Sequence, residues 1–165
     1  MTPYDRLARL GDADPIVVLR ATPVRVEALL HDPRFDPQRS WRPGGDDGRT
    51  LIARLADREI AFAFHGRQAV AATYRPEDGP YRAEPVDAAA WGRDYARLDP
   101  SLAAAAFGSV RSWNLAWLAR LDLADWLAPC RTEDGSGSDT IDELVRAQAA
   151  HDLASLERLE GVLGG

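Results

Sequence analysis

The chain has almost no thiol: Cys130 is its single cysteine. It can close no internal disulfide and belongs to no cysteine-based metal motif, which fits a reducing compartment. Histidine is scarce as well, with His31, His65 and His151 the three present. Lysine is missing altogether, so the 20 basic residues are all arginine, interleaved with 26 acids for a net charge of −6. That balance argues against a general nucleic-acid binder, whose footprint is a clustered basic surface. No run of about 18 apolar residues is present, so no membrane-spanning helix is expected. The first fifteen residues, MTPYDRLARLGDADP, carry both signs of charge and no apolar signal core. Together these absences point to a soluble, cytoplasmic protein without a membrane or nucleic-acid partner.

What is present is helical. Ala, Leu, Arg, Asp and Glu abound, while Val and Ile are sparse outside residues 16–26. A length of 165 residues is expected to make one domain over 1–165. Four stretches repeat their apolar residues at helical spacing, and each opens on a cap signal. Asp14 precedes Pro15, Asp47 precedes the second stretch, Asp99 precedes Pro100, and Thr140 with Glu143 forms a capping box. Helices are therefore expected near 14–31, 49–72, 100–121 and 140–162. Pro23 should kink the first or restart it. Residues 32–48 and 73–90 are rich in Pro, Gly and Asp and read as loops, with Trp91 and Tyr95 on a short helical piece. No strand pair with a hairpin turn is apparent. The expected fold class is all-α, a four-helix bundle.

Two segments then resemble something more specific. In LIARLADREIAF (51–62), Leu55, Asp57 and Glu59 match the second-helix signature of the DinB-like family, in which a histidine precedes Leu-x-Asp. In TIDELVRAQAAHDLASLERL (140–159), His151, Asp152 and Leu153 match its last-helix signature, in which a second histidine follows four residues on. DPIVVLRATP (14–23) and RSWNLAWLARL (111–121) with Trp126 extend the resemblance over almost the whole chain. It implies an up-down-down-up bundle, often a homodimer, whose active members hold a divalent metal on three histidines. Some are thiol-dependent isomerases or transferases. This chain departs from the pattern. Arg54 stands at the first histidine position, Ser155 at the third, and Asp46 near the place of a usual tryptophan.

These departures change the expected chemistry. Three neutral imidazoles suit zinc or nickel, whereas a serine hydroxyl is a poor ligand and a guanidinium has no acceptor at all. No metal and no other cofactor is therefore expected. His65 lies eleven residues beyond Arg54, about 16 Å along a helix, and His31 sits at a helix end. Gln148, His151 and Ser155 follow i, i+3, i+7 spacing and form one polar stripe. With Arg54 they are the candidate ligand-binding residues, a set suited to a small anionic ligand. Glu59 and Asp152 are expected to point elsewhere. Trp113 and Trp117 are expected in the core or at a dimer interface. Three function classes stay open: a non-catalytic or small-anion-binding bundle, a metal-dependent thiol transferase or isomerase with altered ligands, and a structural homodimeric module. No catalytic residue can be named.

Overall fold

The computed structural model describes residues 11–79, 81–82, 92–131 and 138–163. Most of the lead-in before Asp14, and Trp91, lie outside them. The helices are α1 (Pro15–His31), α2 (Gly48–Thr73), α3 (Pro100–Leu118), the short α4 (Leu123–Trp126) and α5 (Ile141–Gly161). All four foreseen caps form. Asp14, Asp47 and Asp99 each accept a main-chain N–H at 2.8 Å, from Ile16, Thr50 and Ser101. Thr140 and Glu143 cap α5 reciprocally. Each cap satisfies donors that the helix itself leaves orphaned.

The direction of each helix follows from what its ends touch. One apolar cluster joins Val26 and Leu29 of α1, Leu51, Ile52 and Leu55 of α2, Ala103 and Phe107 of α3, and Leu156, Leu159 and Val162 at the end of α5. The other joins Leu19, Phe62, Ala69, Leu118, Ile141, Val145 and Ala149. So α1 and α5 run one way and α2 and α3 the other, giving the up-down-down-up order. Around the bundle α2 neighbours α3 and α5, and α1 neighbours the same two.

Three details differ from the expectation. Pro23 does not mark a second helix start, since α1 is continuous through it. The third helix stops at Leu118 rather than residue 121, where Ala119, Arg120 and Leu121 donate back in tight turns to Leu115, Trp117 and Leu118. Asp122 then caps α4. A small sheet is also present: β1 (Tyr81–Arg82) lies parallel to β2 (Pro129–Arg131), which pairs antiparallel with β3 (Ser138–Thr140). Strands this short show no alternation to read. Cys130 is buried in β2.

Candidate functional site between the second and last helices

Midway between the two apolar clusters the core turns polar. Thr22 of α1, Glu59 of α2, Arg111 and Asn114 of α3, and Gln148 and Asp152 of α5 are all buried. Each is in phase with the apolar residues of its helix: Glu59 between Leu55 and Phe62, Arg111 between Phe107 and Leu118, Asp152 between Val145 and Leu159. The helical period carries them inward whatever their polarity, and most of them bond to one another, with Arg111 Nε and Asp152 Oδ1 left without a hydrogen-bond partner. Arg111 Nη2 donates to Glu59 Oε2 at 2.7 Å, and Nη1 donates to Asp152 Oδ2 at 2.7 Å and to the Leu19 carbonyl at 2.7 Å. Glu59 also accepts from Asn114 Nδ2 at 2.6 Å and from Gln148 Nε2 at 3.1 Å.

Two carboxylates thus share one guanidinium. Burial pushes the Asp152 carboxyl above its ordinary value; Arg111 opposes the rise and Glu59 adds to it. For Arg111, burial works against the charge, but the two acids outweigh it and hold the guanidinium above its ordinary value.

The network reaches the surface on two sides. Toward α3, Arg67 Nη1 donates to Asn114 Oδ1 at 2.7 Å. Toward α5, Arg58 Nε donates to Gln148 Oε1 at 3.0 Å. The second bond fixes the register of the antiparallel pair α2 and α5. One turn from Arg58 toward the start of α2 is Arg54; one turn from Gln148 toward the end of α5 is His151. The two stand at the same height, with Ser155 a turn further on.

Their environments differ. Arg54 is exposed and ion-paired with Asp46 of the preceding loop. Tyr95, from the 3-10 segment Gly92–Arg97, donates to Asp57 close by. Burial, then that bond, raises the Tyr95 phenol, and the Arg54 charge acts against the rise. His151 is half-buried, Ser155 is buried, and Gln148 is buried with both ends of its amide engaged. The stripe therefore holds one polar residue with a structural task, Gln148, and two at the level of an exposed cation.

The other histidines lie apart from this stripe. His31 is exposed at the end of α1, with Nδ1 2.8 Å from the Glu27 carbonyl. His65 Nδ1 is 2.7 Å from the Tyr81 hydroxyl, beside the small sheet. Among the described residues no three His, Cys, Asp or Glu side chains come together in a group able to hold a metal. Glu59 and Asp152 point into the core, where Arg111 takes their charge. Sequence reading did not foresee Arg111 as the centre of this network, although its place in the apolar phase of α3 was the available signal. Trp117 is half-buried, packed edge-on to Phe62 with centroids 6.4 Å apart, while Trp113 is exposed.

No protein-family model matches the chain, and no curated protein does. A solved structure does: YfiT from Bacillus subtilis, a probable metal-dependent hydrolase with an unusual four-helix bundle topology. The TM-score is 0.75 at 18% sequence identity, over 90% of this chain and 83% of that one. The chain has the DinB-like four-helix-bundle fold. Among the described residues no helix is long and apolar enough to cross a membrane.

Proposed function

We propose that this chain uses the DinB-like fold without the three-histidine metal centre and binds a small anion at the mouth of the α2–α5 cleft. The observation that carries the reading is Arg54: the position that the resemblance gives to the first metal ligand holds an exposed guanidinium at the height of His151. The donor set of Arg54, His151 and Ser155 does not fit a divalent metal. It offers one imidazole, a weak hydroxyl ligand and a cation that repels the ion. On this reading the metal-dependent hydrolysis in the description of YfiT does not extend to this chain.

The same set fits an anion. Arg54 and Arg58 are one turn apart on α2, and a guanidinium binds carboxylate or phosphate through two parallel N–H donors. The competing Asp46 pair is exposed and of the kind worth about 0–1 kcal/mol, so a dianion can displace it. Titration calorimetry with inorganic phosphate at low salt tests this. Binding in the range of about 0.1–1 mM is expected, falling roughly tenfold or more in Arg54→Ala. Equal affinity in the variant, or no heat at all, rejects the reading. The expected assembly is a homodimer.

A further inference from the structure

The second outlet of the polar core opens on a different surface. Between α2 and α3 lies an apolar groove of about 370 Å3, lined by Ile60, Phe64, Arg67, Val110 and Trp113 among others. Ile60, Phe64 and Trp113 are exposed. Arg67 lies between aromatic faces, its Cζ 3.7 Å from the Trp113 ring centroid and 4.6 Å from that of Trp117. Its Nη1 donates to the Ala63 carbonyl at 2.9 Å and to Asn114 Oδ1 at 2.7 Å, both neutral acceptors. Its Nη2 is buried and has no hydrogen-bond partner. Arg111 faces two carboxylates, but Arg67 meets none among the described residues: Glu59 lies behind Asn114 and acts only through its field.

A partly desolvated cation with an unused donor, in an apolar groove, is a recognition feature with one half missing. Indole faces supply part of the compensation and no anion. We propose that this groove binds a small hydrophobic carboxylic acid, its carboxylate on Arg67 and its aryl or alkyl body along Ile60, Phe64, Val110 and Trp113. Binding requires the exposed Trp113 indole, which lies against the guanidinium, to turn aside for the carboxylate. The charge requirement selects the acid, and the apolar wall selects against a bare inorganic anion. The site is separate from the Arg54 cleft and does not depend on it.

The test is calorimetric titration of the full chain with 4-phenylbutyrate and with its neutral amide, at low salt. The acid is expected to bind at roughly millimolar affinity or better, at least about tenfold more tightly than the amide. Arg67→Gln should erase that preference. Phe64→Ser, at an exposed position, should weaken acid and amide alike. Saturating inorganic phosphate, which occupies the Arg54 site, should leave the preference for acid over amide unchanged, which separates this site from the phosphate site. The wild-type ratio of acid to amide reads the proposal even where Arg67→Gln does not fold. Equal affinities for acid and amide overturn it, as does a preference that survives Arg67→Gln. So does absence of binding at about 10 mM acid.

Discussion

Arg111 donates from Nη1 to the carbonyl of Leu19, the residue four before Pro23, at 2.7 Å. That carbonyl would accept the N–H of residue 23 in an ordinary helix, and proline has none to give. A side chain from α3 thus completes the main-chain hydrogen bonding of α1, and this is one reason why α1 runs through its proline unbroken. The same guanidinium pairs with both Glu59 and Asp152.

Arg111→Met should cost about 3–5 kcal/mol in urea unfolding, since it leaves buried carboxylates unpaired and the Leu19 carbonyl without its donor. Pro23→Ala restores an N–H to that carbonyl. Its benefit should be larger by about 1 kcal/mol in the Arg111→Met background than in wild type. Additive effects in the double-mutant cycle would show that the two residues do not share this acceptor.

Asp152 is predicted to make stability fall as pH rises. Its folded carboxyl sits above the ordinary 3.8, chiefly through burial, so the folded chain holds that proton more tightly than the unfolded one. The resulting contribution is complete below 3.8 and is lost as pH climbs through the raised folded value. Asp152→Asn removes the titration but keeps an acceptor for Arg111. Relative to wild type, the variant should gain stability as pH rises above the ordinary 3.8, read from urea midpoints. A difference that is flat as pH rises, or that moves the other way, contradicts the charge assignment.

Most of the fold was legible because local chemistry and helical period agreed. Asp14, Asp47, Asp99 and Thr140 were read as caps and are caps. The small sheet escaped because its strands have two or three residues and its first pairing is parallel and distant in sequence. The site was legible only in outline. His151 and Ser155 could be set on one stripe of α5, but their height against α2 depends on the Arg58–Gln148 bond, which joins residues ninety positions apart. The polar core was obscured for a related reason. Glu59, Arg111 and Asp152 look like ordinary charged helix residues until three helices bring them together.

The homodimer implied by the family resemblance is a prediction about solution state. Sedimentation equilibrium at micromolar concentration should give twice the 18.1 kDa chain mass. A monomer that persists at high micromolar concentration contradicts it.

Replacing Arg54 and Ser155 together by histidine should create a zinc site with His151. Arg54 and His151 share a height, and Ser155 is one turn beyond His151 on the same helix. The double variant should take up about one zinc per chain, and each single variant markedly less. Ser155 is buried, so the larger ring must displace neighbours, and a lower melting temperature in the absence of metal is expected. A folded double variant that takes up no zinc would show that the three positions do not converge.

The most direct measurement is the metal content of the untagged wild-type protein, purified from cells grown with added zinc and nickel and assayed by mass spectrometry of the elements. Far less than one transition-metal ion per chain, about 0.1 or below, is expected, because Arg54 and Ser155 stand where ligands would be needed. About one zinc or nickel ion per chain would contradict it.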